Sequence, residues 1–429
     1  MKRRNVFGTA AAVAGGATVG AAVTSSAAHA RRPGRRVKPG IEVLADNNFK
    51  ALQGQRVGII SNPTGIFPDL RHEVDVMHES GKVNIVAAFG PEHGFRGTSQ
   101  AGEGEDFFYD PKTGIPVYNA YNDADSMIEQ FEDAAVETVV FDIQDVGARF
   151  YTYIWTMYLA MEAAYELGLP FMVLDRPNPL GATEAYGPVL DEEHATFVGL
   201  KAISQQHGMT IGELAQYFNA EFLPDAVGGS VDLTVIEMQG WKPEMYFDET
   251  GLPWVAPSPN MPTLETAIVY PGTGLFEASA LSEGRGTTQP FELLGAPDIN
   301  HEWEEALNAQ DLPGVRFREA YFNPTFSKWE EEVCGGVEIE VTDRAEFDAV
   351  RTGLAMIITQ QKIFGEYQWR EQDGDGEYWL DKLSGDEAIR LAIEDGADID
   401  TVTALWEDDL EEFRAKRAEH LIYRRRGRR

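Results

Sequence analysis

The residues best suited to chemistry lie in one short stretch, Phe89-Gly90-Pro91-Glu92-His93-Gly94-Phe95-Arg96-Gly97. It sets a carboxylate, an imidazole and a guanidinium within five residues of one another, between glycines. A glutamate flanked by Phe89 and Phe95 is expected to lose hydration, which raises a carboxyl pKa and suits Glu92 to general-acid work. The same residue types also fit a plainer reading, a Glu-Arg pair closing a tight turn. Comparable polar sets follow three other apolar runs: Asn62; then Asp142, Gln144, Asp145 and Arg149; then Asp175, Arg176 and Asn178. Taken singly, each fits a strand-end cap or a structural ion pair. On parallel strands, all four sets share one rim, the place where open α/β sheets bind ligands.

The elements that must position these groups are legible. Arg56-Val57-Gly58-Ile59-Ile60-Ser61, Asn84 to Phe89, Glu137 to Ile143, Pro170 to Asp175 and Leu233 to Ile236 are short runs rich in apolar residues, the mark of buried parallel strands. Ile115 to Tyr118 predicts a further short strand. Helical spacing falls around Leu70, Val74 and Met77, over 123–133 and over 154–167. Thr210-x-x-Glu213 is a capping box opening a helix to about Phe222. Strands alternating with helices over residues 41–240 imply an α/β domain, a mostly parallel sheet flanked by helices. Residues 241–300 are rich in proline and glycine and read as an irregular segment between domains. Over 301–423 the pattern predicts a smaller C-terminal α+β domain. It has a strand at Val337 to Val341 and helices over 344–364, 385–394 and 399–422, the second opened by Ser384-x-x-Glu387.

Several functions are excluded or left without support. Val57-Gly58-Ile59-Ile60-Ser61-Asn62 lacks the glycines of a dinucleotide site, and Walker, G-x-S-x-G and H-E-x-x-H motifs are missing. Glu371-Gln372-Asp373-Gly374-Asp375-Gly376 begins like a calcium loop, but Lys382 stands where the bidentate glutamate belongs. A metal held by Asp142, Asp145 and His93 is a conceivable route to hydrolysis, yet no ligand spacing calls for one, and no cofactor is expected. A net charge of −34 repels phosphate backbones, so nucleic acid is not the partner. Cys334 is the only cysteine, so no intrachain disulfide can form; its place before Gly335-Gly336 predicts a buried, inert thiol.

The first residues read as an address. Arg3-Arg4-Asn5-Val6-Phe7, an Ala/Gly/Val run from Gly8 to Val23 and Ala28-His29-Ala30 have the form of a twin-arginine signal over residues 1–30. The run is too short and glycine-rich for a stable membrane span. Export follows, to a periplasmic, cell-wall-associated or extracellular place. Residues 31–40 form a basic linker and 424–429 a basic tail.

The chain also resembles the bacterial exo-β-N-acetylmuramidases of the NamZ type, formerly a domain of unknown function. The resemblance rests on Gly58 to Gly65, Gly90 to Gly97, Phe141 to Tyr153, Asp175 to Gly181 and His207 to Leu214, then on Pro257 to Thr263, Ser282 to Thr288 and Pro324 to Lys328. It implies a Rossmann-like domain without nucleotide, a smaller second domain and a cleft between them. It further implies removal of N-acetylmuramic acid from the non-reducing ends of peptidoglycan fragments, with Glu92 as acid. Glu277-Ala278-Ser279-Ala280 departs from the family pattern, which bears on fine glycan preference. On this reading Asp142 or Asp145 activates water, or the 2-acetamido group of the sugar attacks. Arg149 or Arg285 pairs with the lactyl carboxylate of muramic acid. Tyr151, Tyr153 and Trp254 are candidates to stack on sugar faces, and His207 and Asn260 to hold hydroxyls. The remaining expected binding residues are Asn62, His93, Arg96, Asp175, Arg176, Asn178 and Glu283. A metal-dependent wall-polymer hydrolase and a non-catalytic wall-glycan-binding protein stay open as alternatives.

Overall fold

The computed structural model describes residues 36–100, 102–365, 368–372 and 377–424. The expected signal over 1–30, the first half of the linker and all but Arg424 of the tail lie outside the described residues, as does most of the acidic turn at 371–376.

Among the described residues up to 236 there are nine strands: β1 (Arg56–Ser61), β2 (Asn84–Gly90), β3 (Phe108–Tyr109), β4 (Pro116–Asn119), β5 (Thr138–Asp142), β6 (Phe171–Leu174), β7 (Tyr186–Val189), β8 (Ser204–Gln206) and β9 (Leu233–Ile236). Seven form one sheet in the order β3-β4-β2-β1-β5-β6-β9, parallel except where β3 meets β4; β7 and β8 make a separate hairpin. Both faces of the sheet are covered, which is why β1 and β5 read as continuous apolar runs rather than alternating ones. The two-residue period still sorts their side chains. Val139 and Phe141 join a core with Ile60, Phe89 and the helix Tyr153–Glu166, while Val140 joins Val57, Ile59 and Met172 on the other face. This is the Rossmann-like sheet that the resemblance implies.

Chain direction decides where a site can form. From β1 the path runs outward through β2 to β4, then returns to the other side of β1 for β5, β6 and β9. The strand order therefore reverses at β1, and the loops that leave β2 and β5 diverge over its carboxyl end. A crevice opens at such a switch point.

The C-terminal region adds β10 (Leu293–Ala296), β11 (Val315–Phe322) and β12 (Cys334–Val341), an antiparallel sheet in the order β10-β12-β11. Residues from Arg36 onward pack as one unit. Cys334 is buried, and burial pushes its thiol up to about 11, as expected of an inert cysteine.

Some elements differ from expectation. The stretch read as irregular contains the helix Leu264–Thr273, capped by Thr263, whose hydroxyl accepts from Thr266 N–H. Pro271 and Gly272 look like breakers, but tertiary packing calls for the glycine. A Cβ at Gly272 would collide with the backbone of Ala349, and one at Gly353 with Gly272, where this helix meets Ala349–Phe364. β11 was not foreseen; its arginines and glutamate at 316, 318 and 319 hide the buried Val315, Phe317, Ala320 and Phe322. Ser384 does not open a helix. It closes Trp379–Ser384, and Asp386 caps the next helix by accepting from Ala388 N–H. The long helix expected over 399–422 breaks into Ile399–Thr403 and Glu407–Ala418.

Candidate active site

Glu92 sits two residues past β2, in a loop folded tightly against itself. His93, Gly94 and Gly97 all have positive φ, at 70°, 83° and 77°. Gly94 is obligatory on two counts, since an added Cβ would also press on the Glu105 carboxylate, which accepts from Phe95 N–H. Arg96 anchors the loop at the sheet edge. It bonds Asp110 at 2.9 Å and Asp75 at 2.9 Å and stacks over Phe95, so its guanidinium serves the scaffold and does not line the cleft beside Glu92. Phe89 and Phe95 pack into opposite cores beneath the loop rather than around the Glu92 carboxylate.

What surrounds that carboxylate is polar. One oxygen accepts the Gly102 N–H at 2.6 Å, and the other accepts the Thr152 hydroxyl at 2.8 Å. Thr152 belongs to the loop after β5, so this bond bridges the two loops that diverge over β1. His93 Nε2 stands 4.0 Å from Glu92. The His93 Nδ1 lies 3.2 Å from the Ser99 carbonyl, which can only accept. Nδ1 therefore carries a proton, and Nε2 is the ring nitrogen that faces Glu92.

These groups line a cleft of about 310 Å³, within the size range of a small-ligand site. Its walls include Tyr151, Tyr153, Ser258, Asn260 and Tyr270. The Tyr153 hydroxyl donates to the Pro257 carbonyl at 2.6 Å and so ties the Pro257-Ser258 segment to the start of the helix Tyr153–Glu166. Burial foremost, and for Tyr153 the nearby Glu92 charge, raise the three phenols and keep them as donors. The Tyr151 hydroxyl is buried beside Ser258 without a bond of good geometry. An outer chamber adjoins the cleft, sharing Asn260, Glu277, Arg285 and Arg370 with it and adding Glu283, Phe326 and Lys328.

Most of the other strand-tip residues lock the scaffold instead of facing the cleft. Asp142 is fully buried and held through both oxygens by Arg176. Beside it the Glu73 carboxyl is pushed well above the usual range by burial and then by Asp142. Asp145 accepts from Gly147 N–H at 2.7 Å and from His207 Nε2 at 3.1 Å; Met209 N–H donates to His207 Nδ1, which fixes that ring's tautomer. Asp142, Asp145 and His93 thus have separate partners and do not converge as a metal set. Asp175 receives Thr210, Gly212 and Tyr423, which docks the C-terminal segment. Asn62 and Asn178 close turns: Asn62 accepts from Thr64, Asn178 from Leu180, and Asn178 also donates to Met209. Trp254 borders a separate small hollow with Phe247 and Arg176.

Arg149 is not in the cleft either. Its fully buried guanidinium donates to the carbonyls of Pro188, Ile203 and Leu383, and burial pulls its pKa down to about 9. It joins the β7-β8 hairpin to the helix Trp379–Ser384. Arg285 does line the cleft, yet Glu277 at 2.6 Å and Glu283 at 3.1 Å already hold it. Of the expected residues, then, Glu92, His93, Tyr151, Tyr153, Asn260 and Arg285 meet in the cleft, with Glu283 in the outer chamber. Thr152, Tyr270, Glu277, Arg370 and Trp379 also line it. Thr152 carried a signal in its place between the strand predicted to end at Ile143 and the helix predicted from 154, and Glu277 in the departure at Glu277-Ala278-Ser279-Ala280; Tyr270, Arg370 and Trp379 come from segments without a local mark.

A carboxyl group set among phenols and hydroxyls, at the switch point of a Rossmann-like sheet, suits the class of enzymes that hydrolyse glycosidic bonds. The family model for the N-terminal part of exo-β-N-acetylmuramidase NamZ matches residues 57–265, and that for its C-terminal part matches 268–423. The chain is 49% identical over 395 residues to the peptidoglycan β-N-acetylmuramidase NamZ of Bacillus subtilis (strain 168), covering 92% of each. Two solved structures of DUF1343 family proteins from Bacteroides fragilis NCTC 9343 are similar. One superposes with a TM-score of 0.82 at 34% identity, the other with 0.73 at 30%, and each match covers 91% of this chain and 100% of the other. The chain belongs to the NamZ family of exo-β-N-acetylmuramidases.

Proposed function

We propose that this glycosidase removes terminal N-acetylmuramic acid from the non-reducing ends of peptidoglycan fragments, with Glu92 as general acid. The observation that carries the reading is the Glu92 carboxylate, set in a sugar-sized cleft and held at both oxygens. The protonated acid delivers its proton to the glycosidic oxygen as the bond to the leaving sugar breaks, and water adds its oxygen to the anomeric carbon, directly or after the 2-acetamido oxygen has bonded there, giving up a proton to the carboxylate side. Gly102 N–H and the Thr152 hydroxyl then receive the carboxylate left behind. Glu277 lines the same cleft and is the carboxylate available to the other face of the sugar, a part for which Asp142 and Asp145 are badly placed. Tyr151 and Ser258 supply donors for hydroxyl or acetamido groups.

Peptidoglycan lies outside the cytoplasmic membrane, and the twin-arginine pattern at Arg3-Arg4 supports export to it. The test is incubation with a disaccharide bearing N-acetylmuramic acid at its non-reducing end, with and without chelator, followed by mass spectrometry of the products. Free N-acetylmuramic acid in equal yield in both arms is the expected result. Cleavage lost to the chelator would point to a metal-dependent hydrolase, and binding without release to a lectin-like role.

A further inference from the structure

We propose that Arg370 is the residue that reads the lactyl carboxylate of the substrate and so sets the preference for muramic acid over N-acetylglucosamine. This rests on the muramidase reading above. The two sugars differ by one lactyl ether, whose only charge is a carboxylate. Discrimination in favour of it therefore needs a cation that is not already satisfied, in a protein of net charge −34.

Among the described residues, three Arg and Lys side chains line the two chambers. Arg285 is clamped between Glu277 and Glu283. Lys328 donates to Glu283 at 2.9 Å and to the carbonyls of Phe276 and Leu281. Arg370 differs from both. It has no acidic partner among the described residues, and it stands on the seam shared by the inner and outer chambers. Its guanidinium lies 4.6 Å from the ring centre of Trp379. A guanidinium stacked on an aromatic face keeps its N–H edge free for a planar carboxylate, and the stacking limits the entropy lost on pairing. The backbone is pinned on both sides: Arg370 N–H donates to the Ala278 carbonyl at 2.8 Å, and Trp379 N–H donates to the Arg370 carbonyl at 2.9 Å. The cation is thus fixed next to the Glu277 turn before any substrate arrives. Asn260 lines the same seam and offers an amide beside it.

The test compares R370A and R370K with the unaltered enzyme on two chromogenic substrates, the β-N-acetylmuramide and the β-N-acetylglucosaminide. On the muramide, kcat/KM of R370A should fall by about 10- to 100-fold, carried mainly by KM, because a contact present in both ground and transition states moves KM. On the glucosaminide it should change by less than about 3-fold, so the preference collapses. R370K, which keeps charge without the planar fork, should fall in between. A muramide preference that survives in R370A overturns the assignment while leaving the muramidase reading intact. So does an equal loss on both substrates, which would mark a structural role. Failure of the unaltered enzyme to cleave the muramide overturns both.

Discussion

Replacing Glu92 by glutamine separates proton donation from everything else the side chain does. The amide is nearly isosteric. Its oxygen can still accept the Gly102 N–H, and the Thr152 hydroxyl can rotate to accept from the new NH₂ group in place of donating to an oxygen. Both neighbours keep a partner, so stability should move by no more than about 1 kcal/mol. Activity should not be spared. General-acid assistance is worth about 10²- to 10⁴-fold, or roughly 3–5 kcal/mol of barrier. The size should depend on the leaving group. A sugar alkoxide must be protonated as it departs, whereas a nitrophenolate leaves almost unaided. Glu92→Gln should therefore lose about 10²-fold or more on a disaccharide and markedly less on the nitrophenyl muramide. Rates on both substrates, with thermal melting to establish the fold, make the assay. Retention of more than about a tenth of the disaccharide rate, or the same loss on both substrates, would refute Glu92 as the acid.

Two further predictions concern the scaffold. Arg149→Ala leaves three buried carbonyls without their donor and should cost on the order of 3 kcal/mol or more in chemical denaturation, the β7-β8 hairpin loosening first under hydrogen exchange. Asp175 is fully buried, and burial foremost raises its carboxyl from 3.8 to about 7. A carboxyl raised on folding contributes stability that is complete below its unfolded pKa and is lost as pH rises through the folded one. Melting temperature should thus fall between about pH 4 and pH 7 by more in the unaltered protein than in Asp175→Asn. Equal slopes in the two proteins would remove Asp175 from the titration.

Much of the scaffold is written locally. β1, β2, β5, β6 and β9 announce themselves through apolar runs that any two-sided sheet requires, and Thr210 with Glu213 forms the capping box that its spacing predicts. β11 and the helix Leu264–Thr273 were harder to see. In β11 charged residues on the open face mask the pattern, and in the helix a glycine needed for backbone contact with Ala349–Phe364 imitates a break.

The chain alone determined that polar side chains gather at one rim and that Glu92 stands among them on a glycine-bounded loop. Only the folded state decided which of those side chains face a substrate and which face each other. Asp142 meets Arg176, Asp145 meets His207, and Arg149 reaches Leu383, each across a long stretch of sequence. Glu277 and Arg370 arrive at the same cleft from segments far apart along the chain. The physical reason is that a buried charge takes whichever partner satisfies it at hydrogen-bond distance, and strand order, not spacing along the chain, sets which groups come that close.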